Sequence, residues 1–375
     1  MAVTARAKQL KAEGRDVVSF GAGEPDFDTP AFIKEVAKKA LDDGMTKYSP
    51  AAGQLVLRQE LSRKFKEENG LDYDAKQIVV TVGGKHGCYE AVHAVVDPGD
   101  EVLIPTPYWV SYPEMVRLVG GVPKIVETRA EDGYKLTPEI LKAAITPKTT
   151  MLIFNSPSNP GGFCYSEAEQ QALGAVLEGT DVVIMSDEMY EYLVYGDMKF
   201  VSFAAANPKL YDQTITVNGL SKAYSMTGWR MGYLGAPADC AKAISQMQSH
   251  MTSGPATFCQ LASIEALQKG SAEVERMRSE FAKRAAHIHQ RLNAIDGVTC
   301  DEPTGAFYAF PDVSGTFGRV GVSGSKDFCL KLLDEVNVAA VPGIGFGCDN
   351  NIRLSFATSM EQIDKGLDRI ADFVK

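Results

Sequence analysis

A lysine preceded by a serine, with an arginine following across a glycine, is the arrangement in this chain richest in chemistry. It lies in Asn218-Gly-Leu-Ser-Lys-Ala-Tyr-Ser-Met-Thr-Gly-Trp-Arg230. Lys222 sits in a short polar segment after the apolar run Thr214–Val217, and Gly228 lets the chain turn back toward Arg230. An amine beside hydroxyls can condense with a carbonyl while a returning guanidinium holds a phosphate next to it. Taken alone, the same run also reads as a surface lysine after a strand. The rest of the chain decides between the two.

Five more segments carry groups of this kind, each with a plainer explanation beside it. Thr81-Val-Gly-Gly-Lys-His-Gly joins an apolar run to a helical one, so the backbone of Gly84, Lys85 and His86 could meet an anion at a helix N-terminus. Glycines are also ordinary in such turns. Trp109, one of two tryptophans, follows Pro107-Tyr and offers a flat stacking face, or a core side chain. In Asn155-Ser-Pro-Ser-Asn-Pro-Gly-Gly, Asn159 is a donor fixed at a strand end, or part of a plain turn. Asp187, in Ser186-Asp-Glu-Met-Tyr-Glu-Tyr, ends an apolar run where it could keep a ring nitrogen protonated, or cap a helix. Tyr190, three residues on, would face the same pocket and donate to a phenolate oxygen. Arg353, inside Asn351-Ile-Arg-Leu-Ser-Phe, is costly unless paired, either with a substrate carboxylate or in a structural ion pair. Together, and in this order, the six segments meet the needs of one cofactor, pyridoxal 5′-phosphate.

The elements that must position these groups read as α/β. Ile78–Val82, Val102–Ile104, Met151–Phe154, Val182–Met185, Ile215–Val217 and Tyr233–Ala236 are short apolar runs, the mark of a largely parallel sheet covered by helices. Between them Pro30–Asp43 is amphipathic through Phe32, Ile33, Val36, Ala37, Ala40 and Leu41, with Thr29 as cap and Gly44 as stop. Leu55–Asn69 is a second helix, closed by Gly70. In such folds ligands sit at the carboxyl ends of strands. The last hundred or so residues differ. A charged helix over Ser271–Ile295, short strands at Phe307–Phe310, Val338–Val341 and Ile352–Phe356, and a helix from about Met360 predict a smaller α+β domain. The segment before Thr29 is too short to fold alone and is expected to pack there. The predicted division is a large cofactor-binding domain over residues 29–270 and a small domain over residues 1–28 and 271–375.

Composition narrows the function classes. The 375 residues are 45% apolar and 23% charged, an ordinary globular balance that suggests roughly two domains. A net charge of −10 argues against nucleic-acid backbones and anionic membranes as partners. No apolar stretch approaches the roughly 20 residues that span a bilayer. Met1-Ala-Val-Thr-Ala-Arg-Ala-Lys lacks the apolar core of a secretory signal, so a cytoplasmic location is expected. The seven cysteines form no Cys-x-x-Cys pair and the five histidines do not cluster, which predicts neither disulfides nor a metal site. Gly343-x-Gly-x-Gly has the wrong spacing and place for a dinucleotide-binding turn, which argues against a dehydrogenase. A cofactor-binding regulator would need a basic DNA-binding segment that the chain lacks.

Over nearly its whole length the chain resembles the class I aminotransferases, the aspartate aminotransferase family of fold-type I pyridoxal-phosphate enzymes. The resemblance rests on Gly23-Glu-Pro-Asp-Phe-Asp-Thr-Pro, Lys47-Tyr-Ser-Pro, Pro107-Tyr-Trp, Asn159-Pro, Asp187-x-x-Tyr190, Ser221-Lys-Ala, Gly228-Trp-Arg and the Arg353 strand. It is nearest to the bacterial branch acting on aspartate and, in some members, prephenate or aromatic amino acids. The resemblance implies a mostly parallel seven-stranded sheet and ping-pong transamination. It makes Lys222 the Schiff-base lysine and proton shuttle, Asp187 the partner of the pyridine nitrogen, and Tyr190 and Asn159 the partners of the ring oxygen. Ser221, Arg230 and the backbone of Gly84, Lys85 and His86 would hold the phosphate, with Trp109 over the ring. Arg353 would bind the α-carboxylate, helped by Asn159 and the backbone of Gly23. Lys85 would meet a second carboxylate, or else is a solvated helix-start residue. Tyr48 would reach the phosphate of the neighbouring subunit in a homodimer. Aromatic or prephenate transamination and carbon–sulfur β-lyase chemistry are the alternatives. The pattern departs from the family at a shorter N-terminal arm and at Gly161, where a hydroxyl residue is usual and where a looser loop is expected.

Overall fold

The computed structural model describes residues 6, 7, 9, 10 and 12–375. Strand β1 (Val18–Ser19) lies apart from the next seven, which form one sheet. These are β2 (Ile78–Val82), β3 (Glu101–Pro105), β4 (Val122–Val126), β5 (Thr149–Asn155), β6 (Val183–Asp187), β7 (Thr214–Gly219) and β8 (Met231–Gly235). Their order is β2-β8-β7-β6-β5-β3-β4. Only β8 runs against its neighbours; the other pairs are parallel. All six apolar runs singled out in the sequence are strands of this sheet. The seventh, which the family resemblance implies, is β4, a stretch that is not among the apolar runs singled out in the sequence. Its Pro123 and Lys124 break the apolar pattern, and Val122 and Ile125 are exposed, as suits a sheet edge.

The helices that cover the sheet are α1 (Ala31–Asp42), α2 (Leu55–Asn69), α3 (Gly84–Val95), α4 (Tyr112–Leu118), α5 (Pro138–Ala144), α6 (Glu167–Leu177), α7 (Ala238–Met251) and α8 (Thr257–Lys269). Helix α2 ends at Gly70 in the left-handed conformation, as its sequence predicts. The expected cap of α1 is corrected. Pro30 occupies the cap position with no side-chain bond. Thr29 instead donates its hydroxyl to the Ser225 carbonyl at 2.6 Å and accepts from Trp229 Nε1 at 3.0 Å. That threonine ties the start of α1 to the Lys222–Arg230 loop.

Beyond these come α9 (Ser271–Asn293), β9 (Tyr308–Ala309), α10 (Ser325–Val336), β10 (Val338–Ala339), β11 (Val341–Pro342), β12 (Ile352–Ser355) and α11 (Met360–Phe373). The single strand expected over Val338–Val341 is two. Strand β10 pairs in parallel with β1, whereas β11 pairs with β12, which also pairs with β9. Residues 16–20 therefore pack against these later elements. Asp16 accepts from Arg369 of α11 at 2.7 Å, and Phe20 lies so close to Gly366 that any side chain there would collide with its ring. Phe20, Phe281, Phe307, Phe328, Ile352 and Leu367 share one apolar cluster, and Tyr190, Leu193 and Tyr195 join it from beyond β6. Three further clusters fill the space between the large sheet and its helices. Tyr190 thus belongs to one core while Asp187, three residues earlier, ends a strand of the sheet.

Candidate active site

Strands β2, β5, β6 and β7 end on the same side of the sheet, and each delivers a polar group there. Val82 leads into the glycine turn before α3, Asn155 ends β5, Asp187 ends β6, and β7 runs into the Lys222 loop. That loop returns as β8, which pairs antiparallel with β7 through Asn218↔Tyr233 and Gly219↔Gly232. A cleft of about 450 Å³ opens at these ends.

Of the residues singled out in the sequence, the cleft gathers Gly23, Gly84, Lys85, Trp109, Asn159, Asp187, Tyr190, Ser221, Lys222, Arg230 and Arg353. Two lie elsewhere. His86 faces away, its Nδ1 accepting from the Val82 amide at 3.4 Å and its Nε2 lying 3.5 Å from Glu90. Tyr48 is 96% exposed, beside a separate surface hollow.

The Lys222 amine donates to the Gly23 carbonyl and lies 5.8 Å from the centre of the Tyr190 ring. Burial lowers its pKa to about 8, with the Arg353 and Arg230 guanidiniums pulling the same way against Glu24. Asp187 is buried, and desolvation raises its pKa against three opposing hydrogen bonds. Its Oδ2 accepts from the Tyr112 hydroxyl at 2.7 Å and the Cys88 thiol at 3.5 Å, and its Oδ1 from the Met189 amide at 3.2 Å. The last of these is a local turn bond, so the capping alternative describes one oxygen and the cleft the other.

Arg353 projects from β12 and is 8% exposed. Its Nη1 donates to Asn159 Oδ1 at 3.0 Å and its Nη2 to the Gly21 carbonyl at 3.3 Å. Its guanidinium lies 4.5 Å from the Tyr308 ring centre and 5.2 Å from that of Phe346. Its Nε has no partner. Among the described residues no carboxylate pairs with it, which argues against a structural ion pair and leaves a buried donor for an anion. Gly83, at φ +80°, precedes α3, and a Cβ there would strike the Arg230 guanidinium. Arg230 is held in turn by its own loop, Nη1 donating to the Thr227 carbonyl at 2.9 Å. Lys85 lies 4.8 Å from the Trp109 ring centre. At Gly161 the Phe163 ring fills the space a side chain would need, so this loop is packed rather than loosened.

Several cleft residues escaped the sequence reading. Tyr112 and Asn155 both hold the Asp187 region, Asn155 donating to the Asp187 carbonyl at 2.9 Å and accepting from the Asn159 amide at 2.9 Å. Tyr308 shares a 2.9 Å hydroxyl contact with Tyr190. Tyr112 lies in the same Pro107-Tyr-Trp-Val-Ser-Tyr segment as Trp109, a signal within reach. Tyr308 gives none, since a tyrosine in an apolar strand reads as core.

The chain matches the family described as aminotransferase class I and II over residues 15–370. It belongs to that family. The aspartate/prephenate aminotransferase of Cereibacter sphaeroides is 48% identical, with 100% of this chain and 95% of the relative covered. The aspartate aminotransferase of Geobacillus stearothermophilus is 47% identical with the same coverage. The crystal structure of the Rhizobium meliloti aspartate aminotransferase superimposes with a TM-score of 0.96 at 43% identity, covering 100% of this chain and 95% of that one. This aminotransferase is therefore a transaminase of fold type I, in the bacterial aspartate/prephenate branch. The family implies pyridoxal phosphate, and the residues fit it. A buried carboxylate, a cationic wall, an unpartnered arginine donor and a glycine turn at a helix N-terminus face one cleft. Among the described residues no His, Cys, Asp and Glu side chains gather as a metal site, all seven cysteines are free, and no helix is long and apolar enough to cross a membrane.

Proposed function

We propose that this transaminase uses L-aspartate and L-glutamate as amino donors and 2-oxo acids as acceptors, by ping-pong chemistry. The observation that carries the dicarboxylate reading is the pairing of Arg353 and Lys85 as separate cations of one cleft. Bound pyridoxal phosphate supplies a carbonyl for the donor amine and a protonated ring that accepts electron density. Asp187 holds the proton on the ring nitrogen, and Tyr190 and Asn159 donate to the ring oxygen. Ser221, Arg230 and the amides of Gly84, Lys85 and His86 hold the phosphate, for which the His86 side chain is not needed. Trp109 covers one ring face. Arg353, with Asn159 and the Gly23 backbone, fixes the α-carboxylate, and Lys85 meets the distal one. The Lys222 amine then moves the proton from the substrate Cα, a task suited to an amine titrating near neutrality.

Several features of the assembly belong to the same proposal. Residues 29–270 form the cofactor-binding domain, and residues 1–28 and 271–375 the smaller one. The protein acts as a homodimer in which Tyr48, idle on the surface of one protomer, reaches the partner's phosphate. Its free cysteines suit a reducing compartment, and we place it in the cytoplasm.

The test is a single turnover without any oxo acid. The holoenzyme is mixed with one L-amino acid at a time, and the 2-oxo acid released per site is measured. Stoichiometric oxaloacetate from aspartate, lost in Lys85→Ala while alanine or phenylalanine turnover is kept, supports the reading. Turnover of aromatic donors alone would discard it in favour of an aromatic specificity. A Lys222→Ala protein that still transaminates at the parent rate would sink the mechanism.

A further inference from the structure

Helix α2 carries a lysine with no exposure at all. Lys64 is 0% exposed, yet it lies outside the cleft. Its amine forms an ion pair with Glu191 and donates to Asn69 Oδ1 at 2.7 Å. Asn69 Nδ2 donates to the second Glu191 oxygen at 2.7 Å and to Ser202 Oγ at 3.0 Å. Ser202 donates to Glu188 Oε2 at 2.6 Å, and Glu188 Oε1 accepts from Ser186 Oγ at 2.9 Å and the Phe203 amide at 3.1 Å. Every oxygen of both carboxylates is engaged. The lysine is closed in further by the Tyr192 ring, 5.3 Å from the amine.

The placement of this network is what gives it meaning. Glu188 directly follows Asp187, and Glu191 directly follows Tyr190, so each buried carboxylate is the chain neighbour of one cleft residue in the same short turn. A buried ion pair is a poor source of stability, because apolar side chains of similar volume serve as well or better. A fully satisfied buried network is a good way to fix position, because each member restricts the others. On the cleft side, Tyr112, Cys88 and the Met189 amide hold the Asp187 carboxylate, Tyr308 holds the Tyr190 hydroxyl, and Asn155 holds the Asp187 carbonyl. The back side has one anchor on α2 and one at the turn that holds Ser202.

We propose that Lys64 is a positioning residue for transamination. Through Glu191, Asn69, Ser202 and Glu188 it holds the 187–190 turn so that the Asp187 carboxylate and the Tyr190 hydroxyl keep their mutual placement in the cleft. This rests on the roles given above to Asp187 and Tyr190.

The decisive protein is the double variant Lys64→Met with Glu191→Gln, which removes both charges of the buried ion pair together. Its kcat and KM for the amino donor are measured on holoenzyme, and amide hydrogen exchange over residues 188–193 is measured on holoenzyme and cofactor-free protein. The expected result is a kcat lower by ~10-fold with KM within about 2-fold, and exchange faster by ~10-fold in both forms. The single variant Ser202→Ala cuts only the bridge to Glu188 and is expected to show a smaller fall of the same kind. A folded double variant with kcat within about 2-fold of the parent overturns the proposal, whatever its melting temperature, and so does unchanged exchange over the turn. Should the double variant fail to fold, an unchanged kcat in Ser202→Ala overturns it instead. Asp187→Asn separates the two levels of the argument. Full activity there would fault the roles assigned in the cleft, whereas an inactive Asp187→Asn beside an unaffected double variant faults the positioning alone.

Discussion

Burial pulls the Lys222 amine down to about 8, and a lowered value for a cation means that the neutral, nucleophilic form gains as pH rises through that value. In cofactor-free protein, reductive trapping of pyridoxal phosphate on Lys222, followed by mass spectrometry, should therefore rise with a midpoint near 8. A midpoint at the ordinary lysine value of 10.5 would show that the cleft does not tune this amine. Asp187 responds in the opposite direction. Its pKa is raised by burial, and the Tyr112 hydrogen bond opposes that rise by favouring the charged form. Tyr112→Phe should push the carboxyl further up, so that charge on Asp187 is lost at higher pH as the solution is acidified. Carbon NMR titration of labelled aspartate in the cofactor-free protein reads this directly, and an unmoved titration would assign Tyr112 a packing role only. The groups proposed to do chemistry stand out in the sequence because their types are out of place: a charge ending an apolar strand, an arginine inside another. Tyr112, Asn155 and Tyr308 do not, because residues that serve other side chains look like ordinary core or turn residues until the fold brings them together.

At the level of elements, the short apolar runs and the glycine stops of the first helices announced themselves through period and punctuation. What stayed hidden depends on partners far along the chain. Strand β4 interrupts its own pattern because one edge faces water, and β1 and β10 are too short to show any period. Thr29 has the chemistry of a cap but a better partner in Ser225, so a local rule lost to a tertiary bond. Gly83 shows how an element serves the site. Its positive φ and the guanidinium packed on it leave no room for a side chain, so Gly83→Ala should displace Arg230, weaken cofactor binding by ~10-fold and cost about 1–3 kcal/mol of backbone strain. Equilibrium dialysis of pyridoxal phosphate against parent and variant measures it, and equal affinities would mean that Arg230 is not part of the phosphate site.

For the whole molecule, the cleft draws Arg353 from the C-terminal sheet, Gly23 from the N-terminal segment, Asp187 from the large sheet and Lys222 from the loop between two of its strands, so no single segment could have foretold it. Tyr48 extends the same logic beyond one chain. If it acts across a subunit boundary, two inactive parents can complement. Mixing Tyr48→Phe with Lys222→Ala protomers should give hybrid dimers with one intact site, read as a recovered rate and restored cofactor affinity at that site. Recovery no greater than the sum of the parents would place Tyr48 outside the partner's cleft.

The pairing of β7 with β8 has one last consequence. The ladder closes on both sides of the loop that carries Lys222 and Arg230, with the Leu220 amide donating to the Met231 carbonyl at 3.1 Å. The span between Lys222 and Arg230, proposed above as reactive amine and phosphate holder, is thus a property of one hairpin, like the jaws of a fixed gauge. Other parts of the cleft come from separate elements and can drift in evolution to admit new side chains. The length of the molecule that fits between those jaws cannot drift with them.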